Sequence, residues 1–219
     1  MLKGASKYLV EFIGTFFLVF TVGMTVINTA KPGDNSAGAM APLAIGSVLM
    51  VMIFAGGHIS GGHYNPAVTL AVFLRGKCPL IDVLVYWICQ LAAAAAAAYL
   101  VLYLKHPAGR EADGTLMIPA LIVEAIFTFA LCYVVLNVAT AKGTSGNSFY
   151  GLAIGFTVVA GAYAVGPVSG GAFNPAVALG ITLMKLKEMS NIWIYLVSEL
   201  GAGALAAIVF KLVNPPDDK

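Results

Sequence analysis

The stretch Ser60-Gly61-Gly62-His63-Tyr64-Asn65-Pro66-Ala67-Val68 returns 109 positions later as Ser169-Gly170-Gly171-Ala172-Phe173-Asn174-Pro175-Ala176-Val177. Seven of the nine residues are identical, and an eighth keeps an aromatic ring. A repeat this sharp implies two related halves, each carrying one copy of the same device.

Working outward, Asn65 at a helix N-cap followed by Pro66 at the first helical position is a strong helix-start signal. Ala67 and an apolar run continue it until Arg75-Gly76. A helix of about nine residues, rising ~1.5 Å each, crosses nearly half of a ~30 Å hydrocarbon core. Asn174, Pro175 and Ala176 begin a second such helix that runs to Leu183. Each half-helix is expected to start at mid-membrane and return to its own surface. Irregular backbone at that depth is tolerated where it lines a water-filled cavity, so the two turns imply one. Capping uses each Asn side-chain oxygen, and the amide NH₂ is left to donate into the cavity. Two such donors and two positive helix ends bind a solute oxygen and repel cations. Gly56, Gly57, Gly61, Gly62, Gly166, Gly170 and Gly171 are expected to let the backbone run extended, with carbonyls toward the lumen.

Composition agrees with a membrane setting. The 219 residues are 60% hydrophobic and 10% charged, far from the balance of a soluble domain. Apolar stretches at 8–30, 40–57, 80–104, 117–140, 149–166 and 191–213 can each cross a bilayer at about 20 residues per span. The stretch 149–166 is short. The first begins behind Lys3 and Lys7, as a signal peptide would, but it carries Glu11 and five similar stretches follow it. A net charge of +2 gives no reason to expect nucleic acid. Cys78, Cys89 and Cys132 lack metal-ligand spacing, and neither a metal site nor a cofactor is expected.

The halves align beyond the turns. Glu11 in the first span answers Glu124 in the fourth, and Gln90-Leu91-Ala92-Ala93 in the third answers Ser198-Glu199-Leu200-Gly201 in the sixth. Each half holds three spans, an odd number, so the second half enters from the opposite face as an inverted repeat. The expected fold is all-α: six transmembrane helices plus two re-entrant half-helices in one domain over 1–219, with repeats at 8–104 and 117–213. Lys3, Lys7, Arg75, Lys77, Lys142, Lys211 and Lys219 on one side outnumber Lys31, Lys105, Arg110, Lys185 and Lys187 on the other, which places both termini in the cytoplasm. A plasma or bacterial inner membrane is the expected location, with an intracellular membrane as the alternative. The alanines 92–98, Gly151-xxx-Gly155 and Gly201-Ala202-Gly203 read as close helix packing.

This pattern resembles the aquaporin (major intrinsic protein) family over essentially the whole chain. The doubled Asn-Pro-Ala, the His58–His63 run before the first copy and the matched Glu11 and Glu124 carry the resemblance. It implies a homotetramer in which each subunit passes water or small neutral solutes, with Asn65 and Asn174 as paired pore asparagines. By family spacing the outer constriction falls on Ile45, Ala162, Gly171 and Val177. Most members place an arginine where Val177 stands. The filter expected here is apolar, uncharged and wide, open to glycerol, urea, ammonia, hydrogen peroxide or neutral metalloid acids. Glu11 and Glu124 are expected to support the loops by accepting their N–H groups. His63 is a pore-mouth candidate whose titration would modulate flow, and His58 is expected to be structurally hydrogen-bonded. Glu199 has packing and gating readings evenly matched. The competing class is an ion-coupled secondary transporter, which shares inverted repeats and broken helices. An enzyme is disfavoured, because no nucleophile–base pair appears among the spans.

Overall fold

The computed structural model describes residues 2–27, 36–106 and 117–214. These form the helices α1 (Leu2–Val26), α2 (Ser36–Ser60), α3 (Pro66–Leu74), α4 (Leu80–Lys105), α5 (Met117–Thr140), α6 (Tyr150–Ser169), α7 (Pro175–Leu183) and α8 (Ile192–Val213). Single 3₁₀ turns sit at Lys142–Thr144 and Met189–Asn191. Six of the helices (α1, α2, α4, α5, α6 and α8) are long and apolar enough to cross a membrane, and no strand occurs among the described residues. The half-helices α3 and α7 have nine residues each.

Packing follows the repeat. α1 lies against α2 and α4, as α5 lies against α6 and α8. α2 and α6 join the two halves, and each half-helix wedges against both third spans and the first span of the opposite half. The α2–α6 crossing is closest at Gly46 and Gly155, where a side chain on either would run into the other's carbonyl oxygen. These two glycines are themselves 109 residues apart. Without a hydrophobic driving force between helices in lipid, such small residues let backbones approach and gain dispersion contacts. Ala93, Ala94, Ala97 and Ala98 are completely buried on the inner face of α4, whereas Ala92 and Ala96 face out. Ile88, Ile118 and Leu212 are each at least two-thirds exposed, as lipid-facing positions should be.

The structure corrects several expectations. α1 begins at Leu2 rather than near Tyr8, and Lys7 finds a partner inside the fold: its ammonium lies 2.6 Å from Asp82 at the start of α4, with the Tyr8 hydroxyl 2.8 Å from the same carboxylate. Asp82, buried in the first turn of α4, is thus a fourth acid alongside Glu11, Glu124 and Glu199. The short stretch at 149–166 is a 20-residue helix that continues to Ser169. Gly56, Gly57 and Gly166 are helical, since their carbonyls serve α2 and α6; of the seven glycines flanking the two turns, Gly61, Gly62, Gly170 and Gly171 take positive φ. Gly201 faces open space, while Gly203 is the residue pressed against the Ala67 carbonyl. His58 is exposed on the last turn of α2. Lys31, Arg110 and Lys219, used in the charge comparison, lie outside the described residues.

Candidate functional site

Both turns reach the same unusual backbone. Gly62 and Gly171 each take φ +64, and the next-but-one residues, Tyr64 and Phe173, take φ +48 and +49. A bulky side chain in the left-handed region costs about 1–2 kcal/mol, so something must hold it there. The holder is a carboxylate in each half. Glu11 Oε1 accepts from Ser60 Oγ (2.7 Å) and His63 N (2.9 Å), and Oε2 accepts from Tyr64 N (2.6 Å) and Gln90 Nε2 (2.9 Å). Glu124 repeats this with Ser169 Oγ (2.6 Å), Ala172 N (3.0 Å) and Phe173 N (2.7 Å). Both carboxylates are fully buried. The aromatic rings that follow fill space vacated by glycines: Tyr64 lies in the gap at Gly14 and Gly56, and Phe173 in the gap at Gly161.

The strained residue delivers Asn65 and Asn174 to the helix starts in extended conformation. Asn65 Oδ1 accepts from Ala67 N at 2.8 Å, and Asn174 Oδ1 from Ala176 N at 2.9 Å. The amides do more than point into the cavity. Asn65 Nδ2 donates to the Phe173 carbonyl and Asn174 Nδ2 to the Tyr64 carbonyl, both at 2.9 Å. The two half-helices are therefore tied tip to tip by reciprocal bonds. Each NH₂ has two donors, and one is spent on this tie.

Asn65 and Asn174 line a cavity of about 570 Å³. Ile45, Ala162, Gly171 and Val177 line the same cavity, as does His63, while the wall between is built from residues such as Leu18, Leu49, Val158 and Ile181. His63 is buried, its ring bonded to Thr69 Oγ1 at 3.1 Å and edge-on to Tyr86. The structure also brings in Lys187, which in the sequence counts only among the charges on one side of the membrane: it lines the cavity, its stem crossing the space above Gly170.

The third spans complete the site, and here the expected register is off by one. Tyr86 and Tyr195 donate equivalently to the Ser60 and Ser169 carbonyls. That sets a 109-residue offset for α4 and α8, so Gln90 corresponds to Glu199 rather than to Ser198. The matching Tyr86/Tyr195 pair was the signal in the sequence that would have given this register. Trp87 adds a bond from its indole N–H to the Pro66 carbonyl at 3.1 Å.

The sequence profile of the Major intrinsic protein family matches residues 2–210. The chain belongs to the major intrinsic protein family. It is 35% identical to Aquaporin NIP1-1 of Zea mays over 96% of this chain and 77% of that protein. It is 37% identical to Aquaporin TIP2-1 of Arabidopsis thaliana, covering 95% of this chain and 87% of that protein. The solved aquaglyceroporin of Plasmodium falciparum shares its fold, with a TM-score of 0.79 at 22% identity over 94% of this chain and 95% of the other. The protein is an integral multi-pass membrane channel of the major intrinsic protein type, passing water and small solutes passively. An ion-coupled transporter of similar architecture is not favoured.

Proposed function

We propose that Ile45, Ala162, Gly171 and Val177 form the selectivity constriction of this channel, and that it passes neutral solutes larger than water as well as water itself. The observation that carries the reading is the chemistry of the cavity wall at these positions: a methyl group, a bare backbone and two aliphatic side chains, with no ring and no guanidinium. An arginine fork at Val177 would bring a fixed charge and five donors into the constriction. Without it the barrier to glycerol, urea, ammonia, hydrogen peroxide or neutral metalloid acids is steric alone.

Asn65 and Asn174 then act as the central donors, each offering its remaining N–H to a solute oxygen. The half-helix starts Pro66-Ala67 and Pro175-Ala176 turn two positive ends toward the same point, which disfavours cations. Lys187 adds a cation beside Gly170 and Gly171 and supplies part of the repulsion that the constriction itself lacks. His63 lines the route, and Glu11 and Glu124 keep both loops in conducting shape. No catalytic step, metal or cofactor enters.

The channel unit spans the whole chain, with repeats at 8–104 and 117–213, and assembles as a homotetramer through its apolar outer faces. Both termini face the cytoplasm: among the described residues Lys7, Arg75, Lys77, Lys142 and Lys211 lie on that side, against Lys105, Lys185 and Lys187 on the other. A plasma or bacterial inner membrane fits this charge bias. The test is solute-driven re-swelling of proteoliposomes. Flux of one of these solutes should rise linearly with its gradient and ignore an imposed pH gradient. Saturating, proton-dependent flux would contradict the channel.

A further inference from the structure

The two halves solve the same problem with different chemistry on their third spans. In the first half, the side-chain amide of Gln90 on α4 donates the fourth bond to the Glu11 carboxylate and a second bond to Thr69 Oγ1 at 3.1 Å. In the second half the corresponding residue is Glu199 on α8, fully buried. Its Oε1 accepts from the backbone N–H of Asn174 at 3.0 Å. Its Oε2 is buried, and no donor among the described residues reaches it. The carboxyl of Glu199 does meet another acid, that of Glu124, and with Oε1 held by Asn174 the oxygen left for that meeting is Oε2.

Counting donors places the missing hydrogen. Glu124 accepts from one hydroxyl and two backbone amides, and by comparison with Glu11 it lacks only the bond that Gln90 supplies. The position at Thr69 is Ala178 in the second half and that at His63 is Ala172, so neither offers an alternative donor. The half-helices α3 and α7, which pack on α8, carry no ionisable side chain. From α5 the other ionisable group near Glu199 is the buried Cys132. On α8 itself, Tyr195 is bonded to the Ser169 carbonyl. Arg75 lies against Phe210, about three turns along α8 from Glu199. Among the described residues no cation therefore balances a second negative charge, and two buried carboxylates in contact cannot both ionise.

We propose that Glu199 is a neutral carboxylic acid in the folded channel, its Oε2 proton donated to Glu124, and that this acid positions the second pore asparagine. The acid's other oxygen holds the Asn174 amide N–H, so one side chain links the loop support to the pore turn. Glu199 is thus a positioning residue, filling the role of Gln90 while adding a direct bond to the asparagine's backbone.

The experiment is infrared spectroscopy of the purified full-length channel at neutral pH, with flux measured on the same samples in liposomes. Wild type should show the carbonyl band of a protonated carboxylic acid. Glu199→Gln should remove that band and keep the flux, because the amide donates to Glu124 as Gln90 donates to Glu11. Glu199→Leu should lose flux or assembly, since it removes both the donor to Glu124 and the acceptor for Asn174. Three results would overturn the proposal: no acid band in conducting wild type, a band that survives Glu199→Gln, or a Glu199→Gln channel as defective as Glu199→Leu.

Discussion

Replacing Asn65 by Asp changes one atom of the side chain and tests how the half-helices are joined. The cap survives, because Oδ1 still accepts from Ala67 N at 2.8 Å. The atom that donates to the Phe173 carbonyl at 2.9 Å becomes an oxygen, leaving two acceptors face to face. Stranding that buried carbonyl costs about 1–3 kcal/mol. A carboxylate near the bilayer centre adds about 2.5–3.5 kcal/mol, and the half-helix N-terminus returns about 0.3–2 kcal/mol. The net destabilisation is about 2–6 kcal/mol, a large share of the roughly 5–15 kcal/mol that holds a typical fold together. Asn65→Ala also destabilises, by a lost cap of about 0.5–2 kcal/mol together with the same stranded carbonyl. Only the Asp variant, however, sets a negative charge between the two helix ends. Thermal unfolding in detergent should drop for both variants, while potassium flux into proteoliposomes should appear for Asn65→Asp alone. An Asn65→Asp channel that unfolds at the wild-type temperature and still excludes potassium would refute the reciprocal tie and the electrostatic role assigned to it.

Other outcomes follow from the same geometry. Glu11→Leu strands four donors, from Ser60, His63, Tyr64 and Gln90, at about 1–3 kcal/mol each; it should fail to yield folded channel. Glu11→Gln keeps one acceptor oxygen and should fall between that variant and wild type in detergent melting. Lys187→Glu should raise cation leak while leaving water flux intact, read by a potassium-sensitive dye beside light scattering; unchanged exclusion would remove Lys187 from the barrier. Burial, reinforced by the Asp82 charge, pushes the Cys78 thiol up to about 11. The reactive thiolate is therefore scarce at neutral pH, and maleimide labelling at Cys78, followed by mass spectrometry, should stay slow at pH 7 and accelerate as the pH approaches 11.

Much of this architecture was readable from one repeated motif because the motif is local. Asn-Pro sets a cap and a helix start within three residues, and Glu11 and Glu124 announce themselves as acids in apolar helices. What the repeat concealed is either non-local or a matter of register. The bonds between Asn65 and Phe173, and between Asn174 and Tyr64, join residues 108 and 110 positions apart, and no spacing rule reports them. Gly56, Gly57 and Gly166 are helical despite their composition, because α2 and α6 need their carbonyls more than the loop needs their freedom. Aligning Gln90 with Ser198 hid the amide-to-acid exchange; Tyr86 and Tyr195, equally spaced from their turns, set the register once their bonds were seen. Lys187 follows α7 in what reads as an ordinary polar loop, and only the fold carries it to the cavity wall.

The proposed constriction of Ile45, Ala162, Gly171 and Val177 is apolar, and its width is what would sort the solutes. Stopped-flow light scattering on proteoliposomes, comparing wild type with Val177→Arg for water, glycerol and urea, tests it most directly. Wild type should pass water and at least one of the larger solutes, and Val177→Arg should reduce the larger solute's permeability more than it reduces water flow. A wild-type channel that passes water alone, with a selectivity that Val177→Arg leaves unchanged, would contradict the account.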